Sequence, residues 1–412
     1  MDRSILPVIV GGDTSTYALG RAMNEAFDCE VICVSPAPIT AITRSRFFRI
    51  WQVPMDQGDE ELLGTLEEIS AANPGAHLVL LANTDWFSRF TGEYRDRLSP
   101  HFIIPFPELP VWEKVTDKAH FSELCQRAGV LTPRDAVVDL HGAGAPAWRA
   151  PEIDLTFPVV AKPADGLEYD AVDFPEKRKV YFAKDPGELA RIWGPLAGSG
   201  FRGRFLVQEM IPGDDTCGIS LTFYADSHGD VTLSGGARVL VEDHFPRLIG
   251  NPIAMMTQDY PELVEAGERL LKEVGYTGFA NMDVKIDPRD GRAYFLEINP
   301  RIGRNCYYMV VAGANPMVPM AADLIDGERP ARVEGKRTAI YSLIPNWIIG
   351  RYLRQPRLGA QVKSLLRKGA VQDPMINPAE RDLRRAIIVR LQKLNYVRKL
   401  RRYYPRPVGQ YI

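Results

Sequence analysis

Apolar residues along this chain come in two rhythms. "ILPVIV" runs unbroken into a Gly-Gly turn, and similar short runs return in "CEVICVS", "HLVLLAN" and "HFIIPF". Between them, "TYALGRAMNEAF" and "ELLGTLEEISAANPG" space their apolar positions three and four apart. Buried strands alternating with amphipathic helices predict a parallel, doubly wound sheet over residues 1–112. Gly11 and Gly12 then fall just past the first strand, where such sheets bind ligands, although glycine pairs there also serve as plain tight turns.

The rhythm changes beyond "FPELPVWEKV". "TDKAHFSELCQRAGVLTP" reads as a helix that starts at Thr116 or Asp117 and stops at Gly129. "FPVVAKPADG", "KVYFA" and "RFLVQEMIPGDD" read as strands, and "GISLTFYAD" with "VTLSGGARVLVE" as a hairpin around "SHGD". "YPELVEAGERLLKEVGY" is a second amphipathic helix, and "GFANMDVKIDPRDGRAYFLEINPR" a second hairpin. Antiparallel strands with helices beside them predict an α+β domain over 113–335.

In "FLEINPR" the alternation carries chemistry. Glu297, Asn299 and Arg301 share one face of a strand, with Leu296 and Ile298 expected in the core. On the partner strand Asn281, Asp283 and Lys285 share a face. If Asp287 sits opposite Ala293, Asp283 lies directly across from Glu297. Like charges across a ladder destabilise it unless something positive lies between them. Two carboxylates and an amide oxygen suit Mg²⁺, which keeps waters and shares substrate phosphates. The structural alternative is a solvated acidic face with a salt bridge to Arg301.

An acid on one strand followed by E-x-N-x-R on the next resembles the C-terminal signature of the ATP-grasp superfamily, here Asp283, Glu297, Asn299 and Arg301. "TDKAHF" and "PVVAKPADG" look like its two phosphate-contacting lysines, Lys118 and Lys162, and "LVQEMIPGDD" like its adenine hinge. The resemblance spans roughly residues 1–330. It implies a pre-ATP-grasp domain followed by an ATP-grasp fold, with ATP and Mg²⁺ (or Mn²⁺) as cofactors. It further implies that the backbone of Glu209 and Ile211 and the amide of Gln208 read adenine. Asp215, with Asp214 as the neighbouring choice, would accept from ribose. Arg301 would meet a transferring phosphate or an acyl-phosphate oxyanion, with Arg238 aimed at the γ-phosphate by analogy. Where many members have a glycine-rich phosphate loop, this chain has "PADGLEYDAVDFPEKRKVYF", with Lys177 and Lys179 as candidate contacts. His244, in "VEDHF", fits a structural role.

The usual chemistry of the superfamily is ligation through an acyl phosphate. Within it the motifs look most like the carboxylate–amine ligase branch, near the D-aspartate ligases of peptidoglycan side-chain synthesis. Small carboxylate and amine substrates follow, with Gly11, Gly12, Asp13 and Arg304 as substrate-binding candidates. A small-molecule kinase, a carboxylating enzyme and a non-catalytic ATP-binding module remain as other readings.

Composition adds two constraints. The chain has 412 residues, 45% hydrophobic and 25% charged, which fits a soluble protein of several domains. Its five cysteines are scattered without a CxxC pair, against a disulfide framework or zinc site and in keeping with a reduced cytoplasm. No run approaches the roughly 20 apolar residues of a membrane span, and the start lacks a signal-peptide core. Charge is uneven, however. Gly350 to Ile412 holds 16 Lys or Arg against 3 Asp or Glu, which leaves 34 and 49 in the first 349 residues. Residues 336–412 therefore read as a basic, mainly helical extension. It is suited to docking on the acidic body, to dimer packing, or to an anionic precursor or the inner membrane surface. No RNA-binding module is visible in it, and nucleic acid is not an expected partner.

Overall fold

The computed structural model describes residues 4–55, 58–164, 166–175, 177–178, 180–246 and 248–406. Strands β1 (Ile5–Val10), β2 (Val31–Ser35), β3 (Phe48–Gln52) and β4 (His77–Leu81) form a parallel sheet in the order β3-β2-β1-β4. Val8, Ile32, Val79 and Leu80 are wholly buried, as a sheet covered on both faces requires. Apolar runs had not announced β3, whose "FRIWQ" sits at the sheet edge with its side chains only partly covered. "HFIIPF", expected as a full strand, gives one bridge, Ile103 to Val79. Pro105 has no N–H to extend the ladder. Its carbonyl instead accepts from the Phe279 N–H at 3.0 Å, tying this domain to the next.

Strands β5 (Asp135–Asp139), β6 (Val159–Pro163), β7 (Tyr181–Ala183) and β8 (Arg204–Glu209) make an antiparallel sheet ordered β5-β8-β6-β7. Tyr169, Trp193, Phe201 and Phe205 fill its own core. The largest sheet contains β9 (Gly218–Ala225), β10 (Val231–Asp243), β11 (Asn251–Gln258), β12 (Gly278–Ile286), β13 (Ala293–Asn299), β14 (Val333–Gly335), β15 (Ile340–Ser342) and β16 (Val371–Gln372). Its order is β13-β12-β9-β10-β11-β15-β16, with β14 beside β10. Leu221, Phe223, Met282 and Phe295 pack on one face with Leu124 and Leu270 from the helices Lys118–Ala128 and Pro261–Glu273.

The basic tail is built into the body. β15 and β16 extend the large sheet, with the helix Pro356–Arg367 between them in the chain and the helix Leu383–Tyr403 after them. Arg21 donates to the carbonyls of Asp373, Pro374 and Ile376, and buried Arg385 donates to Ala41 O at 2.9 Å. Arg44 pairs with Asp382 at 2.9 Å, and Lys399 with Asp243 at 3.4 Å. Of the placements open to it, docking on the same chain is thus realised.

Gly278 opens β12 with φ +89°, and a Cβ there would lie 2.8 Å from the Pro105 carbonyl oxygen. Gly278→Ala combines left-handed backbone with that clash, and should cost about 1–3 kcal/mol. Thermal denaturation should show the lowered midpoint.

Candidate active site

Strands β12 and β13 run antiparallel with Asn281 opposite Asn299, Met282 opposite Ile298, and Asp283 opposite Glu297. The turn pairs Ile286, rather than Asp287, with Ala293, and the extra residue is absorbed as a bulge at Leu296. In a regular strand Phe295 and Glu297 would share a face. The bulge separates them, so Phe295 and Ile298 enter the core while Glu297 emerges beside Asp283. Leu296, expected in the core, is only half-buried.

Neighbouring strands orient the acids. The hydroxyls of Ser220 and Thr222 on β9 donate to Asn281 Oδ1 at 3.1 and 3.3 Å, which turns its amide nitrogen toward Asp283 Oδ1 at 3.4 Å. Gly303 is needed here, because a Cβ would stand 2.5 Å from Asn281 Oδ1. Asn299 Nδ2 donates to Asp283 Oδ2 at 3.1 Å, and Arg301 Nη2 donates to Asn299 Oδ1 at 3.2 Å. Arg301 also pairs with Asp85 at 3.1 Å, on the helix Asp85–Glu93 of the N-terminal domain. No motif in the sequence had marked Asp85.

Two lysines complete the cluster. Lys118 Nζ lies 2.9 Å from Glu297 Oε2, and Lys162 Nζ 3.7 Å from the same oxygen. One comes from the start of a helix and the other from the end of β6, so three separate parts of the chain converge on one carboxylate. The charge of Lys118, aided by Lys162, holds the Glu297 carboxyl well below the usual range. Asp283 goes the other way. Burial, reinforced by the Glu297 charge, pushes it up to about 7. Both lysines thus act on the Glu297 side of the pair, while Arg301 is the cation that eases Asp283. Among the described residues, no three His, Cys, Asp or Glu side chains gather as a closed cage. Asp283, Glu297 and Asn299 form an open donor set, suited to a hard cation that takes its remaining ligands from water and phosphate.

Gln208 is buried in β8 between Asp135 of β5 and Val160 of β6. The Glu209 N–H donates to Arg134 O, and its carboxylate accepts from the Thr156 N–H at 2.8 Å. Its N–H is therefore spent within the protein, which leaves the N–H of buried Ile211 as the better donor to a base. Asp215 is likewise committed. Its Oδ2 accepts from the Glu242 N–H at 2.9 Å and meets His244 Nε2 at 3.0 Å. A ribose contact therefore suits half-buried Asp214 better, although its Oδ1 caps Thr216. His244 stacks on Tyr404 with centroids 3.6 Å apart, a structural position.

Arg238 requires correction. It pairs with Ile219, whereas Ala237 pairs with Ser220, the residue opposite Asp283. Alternation therefore sends Arg238 to the other face of the sheet. There it donates to Thr216 O at 2.7 Å and to Gln355 at 3.1 Å. On the acids' face lie Lys285, expected there from the alternation, and near it Glu242, which no motif marked. Burial, then Asp215, pushes Glu242 up to about 8, and burial lowers Lys285, which lies in the field of Glu242. Lys177 donates to Val172 O at 2.6 Å and lies over the Tyr169 ring, and Lys179 falls outside the described residues.

Asp13 caps the helix Thr14–Phe27 just beyond Gly11 and Gly12, and its carboxylate pairs with Arg304. All four substrate-binding candidates thus gather at the N-terminal domain's glycine turn.

With an antiparallel sheet carrying Lys162 and a larger mixed sheet carrying Asp283 and Glu297, the chain has the fold of an ATP-grasp domain. Residues 220–329 match the carbamoyl-phosphate synthase L chain ATP-binding domain family. Over 411 residues the chain is 23% identical to a D-aspartate ligase of Enterococcus faecium (strain Aus0004), covering 98% of this chain and 97% of that one. Its fold is similar to an L-amino acid ligase from Bacillus licheniformis, with TM-score 0.54 and 16% identity over 78% of this chain and 75% of that one. It is also similar to the biotin carboxylase domain of a 2-oxoglutarate carboxylase from Hydrogenobacter thermophilus, solved with MgADP and bicarbonate. There the TM-score is 0.57, with 19% identity over 81% and 73% of the two chains.

The raised Asp283 makes a pH prediction. Between about pH 4 and 7 the unfolded chain has released this proton while the native state keeps it, so rising pH removes stability. Asp283→Asn abolishes that loss. In the presence of a chelator its melting temperature should gain on that of the parent protein as pH climbs through this window and level off above it.

Proposed function

We propose that this protein is an ADP-forming, ATP-dependent carboxylate–amine ligase. The observation that carries the reading is Asp283 opposite Glu297, with Lys118 and Lys162 both on the Glu297 carboxylate. The full-length similarity to a D-aspartate ligase supports it.

The chemistry follows from charge. A substrate carboxylate oxygen attacks the γ-phosphorus of ATP, ADP departs, and an acyl phosphate forms. An amine then attacks the acyl carbon and phosphate leaves, giving an amide. Such transfer depends on positioning and on neutralising phosphate oxygens, so no covalent protein nucleophile is needed. Lys118 and Lys162 would exchange the Glu297 carboxylate for nucleotide phosphates. Asp283, Glu297 and Asn299 would hold Mg²⁺ (or Mn²⁺), which supplies neutralising charge between phosphates and acids. Arg301, buried to 11% exposure and held by Asn299 and Asp85, would present its remaining guanidinium N–H to the transferring phosphoryl or acyl-phosphate oxygen.

For substrates we favour a small amino acid as the carboxylate, joined to an amine on a cell-wall peptide precursor, in line with the relative's name. Asp13 and Arg304 offer an acid and a base for the two ends of an amino acid, and the cationic tail would attract an anionic precursor. Five free thiols suit a reducing cytoplasm.

A screen of amino acids and precursor amines for ADP and phosphate release tests the reading. Phosphate should appear only when a carboxylate and an amine are present together. Phosphorylation of an alcohol, with ADP formed and no free phosphate, would establish the kinase alternative instead. Glu297→Gln should lower turnover by at least about 100-fold while circular dichroism stays native. Near-normal turnover would remove Glu297 from the chemistry.

A further inference from the structure

The helix Leu383–Tyr403 has two faces of different character. Its inner face is fixed to the body through Arg385, Val389, Val397 and Leu400, all buried. Its outer face carries Leu383, Ile387, Leu391 and Leu394, between 55% and 78% exposed. These four follow the spacing i, i+4, i+8, i+11 and so form one continuous stripe. Large apolar side chains scattered singly over a surface need no explanation, but a row along one helix does.

What borders the stripe identifies the occupant. Arg384, Arg390, Arg398, Arg401 and Arg402 are all exposed on this helix, and its 21 residues contain no Asp or Glu. None of the five makes an ion pair among the described residues, whereas Arg44 and Lys399 find acids where the tail meets the body. At the C-terminal end of the stripe, Trp347, 66% exposed, joins Leu394, Arg398, Arg401 and Arg402 around an open groove of about 540 Å³. A protein partner with an apolar patch would explain the leucines but leave five arginines without counter-charge. Nucleic acid would satisfy the arginines but leave the aliphatic row in water. An anionic lipid surface answers both, because headgroup phosphates meet guanidinium groups while acyl chains receive Leu, Ile and Trp.

We propose that the outer face of the helix Leu383–Tyr403, with Trp347, seats the protein on an anionic membrane surface. The helix lies in the interface and does not cross it, since no helix among the described residues is long and apolar enough to span a bilayer. This placement rests on the exposed surface alone and is independent of the ligase reading.

The full chain is sedimented with phosphatidylglycerol or phosphatidylcholine vesicles, at low salt and at about 0.5 M salt. Binding is expected to phosphatidylglycerol at low salt, with little to phosphatidylcholine, and to weaken at high salt. Leu391→Ser with Leu394→Ser, and separately the triple change of Arg398, Arg401 and Arg402 to Gln, should each weaken it by about tenfold or more. Circular dichroism should stay native, because these side chains point outward. Three results would overturn the proposal: no binding to anionic vesicles, equal binding to both lipids, or a dimer in sedimentation velocity that the Leu variants dissolve. RNA that binds more tightly than vesicles would overturn it as well.

Discussion

Two carboxylates facing each other across adjacent strands of one sheet repel, and this pocket is organised around that repulsion. Glu297 is relieved by Lys118 and Lys162, which reach it from a helix start and from a different sheet. Asp283 accepts from the amides of Asn281 and Asn299, but burial beside the Glu297 charge, only partly offset by Arg301, pushes its carboxyl up to about 7. The asymmetry is functional in form. On the proposed reading, a polyphosphate would claim the lysines on one side, and Asp283 would meet a cation delivered from solution.

Much of this was legible because strand alternation is strict. Glu297, Asn299 and Arg301 two apart, with Asp283 in a paired hairpin, suffice to place four side chains on one face. The doubly wound sheet and both hairpins were legible for the same reason. What escaped notice involves parity or distant partners. The Leu296 bulge follows from Phe295, whose ring must be buried while Glu297 stays out, and a one-residue slip between strands leaves no mark in the pattern. Arg238 failed on the same point, since moving one position along β10 changes the face of the sheet. The partners of Asp215, the Glu242 N–H and His244, leave no local mark because they lie 27 and 29 residues downstream. Strand β3 was missed because an edge strand with Arg49 and Gln52 lacks an apolar run.

The similarity to an Enterococcus faecium D-aspartate ligase spans nearly all of both chains at 23% identity. Within this chain the lysines, acids and one guanidinium depend on backbone that brings them together. The close approach of Gly303 to Asn281 and the bulge at Leu296 are local solutions to that requirement, set by backbone geometry.

The way the tail is fastened bears on how the chain must be made. Arg21 and the carbonyl of Ala41, both in the first domain, find their partners in Asp373, Pro374, Ile376 and Arg385. Emerging from a ribosome, the first domain must wait for residues 344 to 355 positions further along before those groups are satisfied. Synthesis of that late segment, and not completion of the opening sheet, is therefore the point from which these contacts can form.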